Sequence, residues 1–273
     1  MGQQASATDH SLDESLASYA PSCFPDEVCL QIMSFLELDT IHHCFLVSKQ
    51  WSWIAREIPI SPNLKRLGNL ERRLKLMSKC HCMNITSLDL SQQFIGTSST
   101  RALQNIVRSE YASRLKELNL NDNYRKVGDE AFQRIAKSTA LQNLEILSAN
   151  GCNITDSGVI ALSQSATLSK LRELRLMGNQ ISEYGVRSLS TSKSMSNLQV
   201  LDLSHSWIGP KGAEYLAQGN AKFTELHLLF GHIEDRGAMA IAQSPQMCNL
   251  TILNLDANSI ENAGALALAG SEF

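Results

Sequence analysis

One spacing pattern recurs seven times between Ile85 and the end of the 273-residue chain. Each copy approximates an apolar residue, a Leu three positions later, a second Leu two positions on, then Asn or a substitute, and Ile. The Asn positions of successive copies are separated by 30, 29, 27, 27, 25 and 27 residues. In order, these positions hold Gln93, Asn123, Cys152, Asn179, Ser206, Gly231 and Asn258. Such a period predicts short units that stack on one another, because one unit alone cannot bury its apolar side.

A second feature keeps phase with the first. In each of the last five copies, a Gly lies six residues after the Asn position and opens a short apolar helix pattern. These glycines are Gly158, Gly185, Gly212, Gly237 and Gly264. We predict an α/β solenoid of about seven repeats of 25–30 residues, each a strand with inward leucines followed by a helix. The second copy has one extra residue between Asn123 and Ala131, which predicts a bulged loop.

Composition excludes several classes of partner. The chain has 24 Lys and Arg against 27 Asp and Glu, a net charge of -3, so no broad positive surface is available for nucleic acid. The seven cysteines form an odd set without framework spacing, and the N-terminus lacks the apolar core of a secretory signal. We therefore expect a cytoplasmic or nuclear protein. Every apolar run is broken well before the roughly 18 residues that a membrane-spanning helix needs.

Residues 1–22 are rich in Ser, Ala, Gln and Asp and have few large apolar side chains, so we expect a disordered leader. Gly2 followed by Ser6 fits the N-myristoylation pattern, which gives weak, reversible membrane attachment. A polar leader matches so loose a pattern by chance fairly often, and no polybasic patch lies nearby. A membrane is therefore an expected partner only if Gly2 is acylated.

Residues 23–60 have helical periodicity. Pro25 is followed by two acids, which signals a helix start because proline fixes the first turn and acids favour the positive end of the helix dipole. Val28, Ile32 and Phe35 then form one apolar stripe. Two or three short helices are expected here, and a fragment this small folds alone only marginally.

This block resembles an F-box, and with the repeats behind it the chain is similar to the F-box and leucine-rich-repeat family. The segment Phe24 to Glu27 corresponds to the family's opening Leu-Pro-x-Glu, and Leu46, Val47 and Trp51 correspond to its closing Leu-Val-x-x-x-Trp. The resemblance implies a substrate receptor of an SCF-type cullin-RING ubiquitin ligase, in which the F-box docks on the Skp adaptor and the repeats bind the target protein. The implied adaptor contacts are Phe24, Pro25, Ile32, Leu36, Val47 and Trp51. For Trp51, a role in the small core is an equal alternative.

These patterns divide the chain into a leader at 1–22, an F-box at 23–60, a linker or capping helix at 61–84 and leucine-rich repeats at 85–273. The alternatives in function are a non-degradative scaffold, whose F-box-like helices only cap the solenoid, and a bacterial effector that mimics a host F-box protein in the host cytoplasm. No polar terminal repeat follows the last helix pattern, so we expect a longer parent protein or capping by association.

Residues between and just after the strand leucines face away from the core in such repeats. Most are small or polar here, as a solvated surface requires. The larger exceptions gather in the fourth to sixth repeats and are Arg175, Met177, His205, Trp207, His227, Leu229 and Phe230. Because aromatic residues, Met and Arg are enriched at interface hot spots, we predict the centre of the substrate-binding surface there. The alternative is that Trp207 and Phe230 pack against neighbouring repeats.

The sequence offers no catalytic or cofactor motif. Its one metal-like cluster is Cys80-His81-Cys82 with His42 and His43 upstream, which lacks the second spaced pair of a zinc site. A Walker loop, His-Glu-x-x-His and G-x-S-x-G are all missing from the sequence. We therefore expect no enzyme, no cofactor and no bound metal.

Overall fold

The computed structural model describes most of the repeat region. The residues that it describes are 85–92, 103, 106–124 and 127–271, without the side chains of residues 110 and 111. The predicted leader, the F-box and the linker at 61–84 lie outside these residues. Gly2, the six predicted adaptor contacts and the Cys80-His81-Cys82 cluster therefore lie outside them as well.

Seven parallel strands of three residues each form one sheet, in chain order. The strands are β1 (Ser87–Asp89), β2 (Glu117–Asn119), β3 (Ile146–Ser148), β4 (Glu173–Arg175), β5 (Val200–Asp202), β6 (Glu225–His227) and β7 (Ile252–Asn254). Each strand pairs with the next in a fixed register, so that Leu88 is followed across the sheet by Leu118 and Leu147. The prediction of a seven-repeat α/β solenoid is confirmed.

A helix follows the strand in each repeat from the second to the seventh, and consecutive helices pack side by side. The helices are α1 (Gly128–Ala136), α2 (Asp156–Ser163), α3 (Glu183–Thr191), α4 (Gly209–Ala217), α5 (Glu234–Ala242) and α6 (Asn262–Ala269). Short 3-10 helices at Glu110–Arg114 and Pro245–Met247 precede β2 and β7. Among the described residues, no helix is long and apolar enough to cross a membrane.

The regular spacing of the helix glycines reflects close packing around the start of each helix. A Cβ atom on Gly237 would lie 2.5 Å from Cγ2 of Ile233 and 2.9 Å from Cβ of Ala213. These glycines do not open the helices, however. The helix α2 begins two residues before Gly158, and α5 begins three residues before Gly237, so each Gly lies in the first turn.

The core is a column of leucines between the strands and the helices. The middle residues of β2 to β6 are fully buried leucines, and Val159 and Leu162 of α2 pack in the same cluster. Replacing one such Leu by Ala costs about 2–5 kcal/mol, because it removes buried apolar surface and leaves a cavity. Folding alone therefore explains the strand leucines.

The side chains at the Asn positions connect neighbouring turns by hydrogen bonds where the chain leaves the strand. The Nδ2 group of Asn179 donates to the carbonyl oxygens of Ala149 and Leu176, both at 2.8 Å. Its Oδ1 accepts from the backbone N–H groups of Cys152 at 3.1 Å and Ile154 at 2.9 Å. One side chain thus satisfies four backbone groups that the sheet leaves without partners.

A second column of side chains links successive helices. Asp156 at the start of α2 accepts from the backbone N–H groups of Ser182 and Gly185 and from the Ser182 hydroxyl, at 2.6–3.0 Å. Asp129 makes the equivalent three bonds to Thr155 and Gly158 in the previous repeat. Since each carboxylate lies in the first turn of its own helix, it also interacts favourably with that end of the helix dipole.

The bulge in the second repeat is larger than expected. Ala131 of α1 takes the place of Gly158 of α2, because Asp129 and Asp156 lie two residues before them and make equivalent bonds. Ala131 follows Asn123 by eight residues, whereas the later glycines follow their Asn positions by six. The insertion is therefore two residues, and the prediction of one residue was wrong.

Candidate protein-binding surface

The side chains of the strands that point away from the leucine core form one outward surface, together with the residues just after each strand. We call this surface the strand face. Its strand positions include Arg175, Asp202 and His227, which lie opposite one another on β4, β5 and β6. The seven residues of the predicted substrate-binding set belong to three consecutive repeats, and we count Trp207 with this face although it lies five residues after β5.

One position of each repeat has a left-handed backbone. It lies just before the Asn position, where the chain turns off the strand, and its φ is between 53° and 69° in every repeat. The residues are Gln92, Asp122, Gly151, Gly178, His205, Phe230 and Ala257. Gly adopts this conformation without the steric cost that a Cβ brings. His205 and Phe230 therefore carry a steric cost at this turn.

Four rings of the fifth and sixth repeats pair across the repeat boundary. His205 stacks on Phe230 with ring centroids 5.0 Å apart, and Trp207 lies against His232 with centroids 4.7 Å apart. We call these four residues the aromatic cluster. Trp207 is nevertheless 76% exposed and Phe230 51% exposed. The rings of Trp207 and Phe230 therefore contact a neighbouring repeat, as the packing alternative expects, but both keep exposed area.

The other residues of the predicted set differ in their exposure and in their contacts. Arg175 forms an ion pair with Glu173 of its own strand, with Nη2 and Oε2 2.8 Å apart. Met177 is 39% exposed, and its backbone N–H donates to the side chain of Asn150. His227 and Leu229 are half-buried. Met177, the aromatic cluster and Leu229 therefore supply the exposed apolar and aromatic area of this part of the strand face.

His232 was missed by the sequence analysis, although a signal for it exists. It comes directly after the Asn position of the sixth repeat, as Trp207 does in the fifth. In the second to seventh repeats this column holds Tyr124, Asn153, Gln180, Trp207, His232 and Ser259. Tyr124 is 63% exposed and lies over Gly151, so this column places large side chains on the surface in the second repeat too.

Cys152 is a structural thiol. It is fully buried at an Asn position, and its Sγ donates to the carbonyl oxygen of Leu120 at 3.0 Å. Burial raises the pKa of the Cys152 thiol to about 11, with the nearby Asp122 carboxylate acting in the same direction. Since the thiolate is the nucleophilic form, Cys152 is unsuited to nucleophilic chemistry near neutral pH. Across the residues that the structure describes, no three His, Cys, Asp or Glu side chains are grouped so as to hold a metal ion.

The fold and this surface define a repeat protein of the interaction class. An F-box-like family model matches residues 22–59, and a Leucine Rich repeat model matches five segments behind it. These segments are 140–163, 167–190, 194–217, 219–242 and 246–269. The chain belongs to the F-box and leucine-rich-repeat proteins, whose two kinds of segment are typically non-enzymatic interaction modules. It therefore acts as a protein-interaction adaptor. A search of curated proteins gave no significant match.

The chain is similar to three solved structures that are 16–17% identical to it. The tropomodulin C-terminal domain of Caenorhabditis elegans is 17% identical, with a TM-score of 0.38 over 62% of this chain and 89% of that one. An internalin of Listeria monocytogenes is 17% identical, with a TM-score of 0.44 over 82% and 68%. A leucine-rich-repeat protein of Leptospira interrogans is 16% identical, with a TM-score of 0.44 over 78% and 58%.

Proposed function

We propose that this protein is the substrate-recognition subunit of an SCF-type ubiquitin ligase. The F-box-like segment docks on the Skp adaptor, which the cullin carries, and the repeats hold the target protein. The observation that supports this role is the F-box-like match at 22–59 upstream of a leucine-rich-repeat solenoid. The chain contributes by proximity, because it holds a target lysine near a conjugating enzyme that other subunits supply.

The target binds, in this proposal, at the strand face of the fourth to sixth repeats. The support is the exposure of Trp207 and Phe230 beside Met177, because exposed aromatic side chains gathered on one surface mark interaction sites. Large aromatic rings also lose little conformational entropy on binding. Arg175, His205, His227 and Leu229 border these side chains in the same three repeats and complete the proposed surface.

Adaptor docking is tested by purifying the tagged full chain from eukaryotic cells. Replacing Ile32 and Leu36 together by Asp puts two charges on the predicted apolar contact, so the Skp adaptor and cullin should no longer co-purify. The variant Trp207→Ala is the matched control and should retain both. If the adaptor still co-purifies with the double Asp variant, the assignment of these residues as adaptor contacts is wrong. The non-degradative scaffold is then the favoured function.

Target capture is tested by replacing Trp207 and Phe230 with Ala. Exposed side chains contribute little to folding, and Ala257 already occupies the Phe230 position of the seventh repeat with a φ of 54°. We therefore expect captured target to fall at least about tenfold while the free energy of unfolding changes by less than about 1 kcal/mol. Tyr124→Ala, in the Trp207 column of the second repeat, is the control. Loss of folding in the double variant would instead favour a packing role.

A further inference from the structure

We propose that the aromatic cluster binds an extended protein segment carrying arginine or lysine, whose cationic side chain lies over the ring of Phe230 or Trp207. This inference rests on the proposed function, because it names the chemical class of target segment that the strand face selects. Two kinds of observation carry it: the charge of the last three repeats, and the placement of the rings relative to that charge.

The strand face of the fifth to seventh repeats is acidic. The three segments that form it, residues 199–208, 224–234 and 251–260, contain no Lys and no Arg. Their charged residues are Asp202, Glu225, Glu234 and Asp256. The corresponding segment of the fourth repeat, residues 172–181, instead has Arg172 and Arg175 together with Glu173. A negative field therefore covers the region of the aromatic cluster and attracts a positively charged segment.

An exposed carboxylate lies next to the cluster. The backbone N–H of Phe230 donates to the carbonyl oxygen of Asp256 at 3.1 Å, which places the two residues on adjacent turns. Asp256 is exposed, and within the described part of the chain its carboxylate makes no hydrogen bond or ion pair. Glu225 has His227 at 3.6 Å, and this contact is an ion pair only when the imidazole is protonated. Both carboxylates are available to a cation from a partner.

The rings of Phe230 and Trp207 provide a second attraction for a cation, in addition to the carboxylates. A guanidinium or ammonium group within about 6 Å of a ring centroid is attracted by the negative face of the ring, most strongly for Trp. The ring of Trp207 is 76% exposed and that of Phe230 is 51% exposed, so each has accessible area despite its His partner. An arginine side chain can therefore contact an open ring and a carboxylate of the next turn together.

The left-handed turn does not by itself require the rings of Phe230 and His205. Phe230 and His205 have φ values of 53° and 55°, in a column that Gly151 and Gly178 occupy in earlier repeats. A left-handed residue with a Cβ costs about 1–2 kcal/mol relative to Gly. The turn itself is satisfied by Gly at lower cost, so the rings of Phe230 and His205 are not explained by the turn.

The experiment uses a positional-scanning library of random nonapeptides in which the central residue is fixed as Arg, Lys, Leu, Phe or Glu. Binding of each pool to the purified full chain is measured by fluorescence polarisation at 50 mM and 300 mM NaCl. We expect the Arg and Lys pools to bind about three- to tenfold more tightly than the Leu pool, and this preference to weaken at 300 mM NaCl.

Four variants separate the contributions. Phe230→Leu with Trp207→Leu keeps apolar area and removes the rings, so the preference for Arg over Leu should fall at least about threefold. Asp256→Asn with Glu225→Gln keeps shape and removes charge, so most of the salt dependence should disappear. Tyr124→Leu and Glu117→Gln, at the equivalent positions of the second repeat, are the controls and should change neither quantity.

The results distinguish this inference from the proposed function. Preference for the Glu, Phe or Leu pools, no preference at all, or a cation preference unchanged by the ring-removing variants overturns the inference. If Trp207→Ala with Phe230→Ala abolishes target capture while the library shows no cation preference, the binding surface stands and the occupant is of another class. If target capture survives that pair of changes, the proposed surface itself is wrong.

Discussion

Replacing Asn179 with Ala tests the physical account of the solenoid, because one side chain there serves four backbone groups. The change removes the two Nδ2 donations to Ala149 and Leu176 and the two N–H bonds from Cys152 and Ile154. Asn179 is 5% exposed, so water reaches these groups poorly. Each bond contributes about 1 kcal/mol net, and each buried group without a partner costs about 1–3 kcal/mol. We therefore expect a loss of about 4 kcal/mol in the free energy of unfolding.

Asn258→Ala provides an internal comparison. Its side chain makes the same four bonds, to Gly231, Ile233, Leu228 and Leu255, at 2.8–3.2 Å. Leu255, however, is only partly buried, so water can replace some of what is lost. We expect a smaller loss here, about 2 kcal/mol.

The assay is urea unfolding of the full chain followed by circular dichroism, with hydrogen exchange of the Cys152 and Ile154 amides as a local measurement. Asn197→Ala is the control, since its exposed side chain donates one hydrogen bond, to Ser169. It should cost less than about 1 kcal/mol. A loss below about 1 kcal/mol for Asn179→Ala, with unchanged amide exchange, would show that these four hydrogen bonds do not stabilise the solenoid.

Four further predictions concern three positions. Because the pKa of Cys152 is about 11, iodoacetamide at pH 8 should label the exposed Cys248 but not Cys152 in the native chain, as read by peptide mass spectrometry, and early labelling of Cys152 would show the burial to be wrong. The raised pKa also makes this thiol's contribution to stability complete below its unfolded pKa of about 9 and progressively lost as pH rises towards 11, which urea unfolding from pH 8 to 11 measures against Cys152→Ala. Gly178→Ala should destabilise by about 1 kcal/mol through its φ of +69° alone, since no atom lies closer than 3.9 Å to the added Cβ, and thermal unfolding checks this. Asp156→Ala removes three bonds to the next turn and should cost about 2–3 kcal/mol in urea unfolding, an effect comparable to a surface substitution being the contrary result.

The fold was predictable from the sequence because the same side-chain pattern recurs in successive repeats. A period-two apolar pattern and an Asn at a fixed offset occur in successive units, so one unit informs the reading of the next. The bulge of the second repeat was predicted at the right place but one residue too short. The equivalent hydrogen bonds of Asp129 and Asp156 fix Ala131 as the counterpart of Gly158.

The candidate surface was only partly predictable. Counting positions along each repeat predicted Trp207 and Phe230 on the surface, and both are exposed. The same counting could not show that His232 completes a ring pair with Trp207, because this contact depends on side-chain orientation across two turns. The left-handed backbone of Phe230 was also hidden, because Phe is not a residue type that signals positive φ, whereas His205 is of a type enriched there.

The role of this chain as a link between the Skp adaptor and a target protein requires direct binding of the adaptor, which is measured by mixing the purified full chain with purified Skp adaptor. Size-exclusion chromatography with light scattering then gives the mass of the complex. We expect a stable complex with one adaptor per chain, which is lost in the Ile32→Asp, Leu36→Asp variant and retained by Trp207→Ala with Phe230→Ala. Separate elution of the unmodified chain and the adaptor would contradict it.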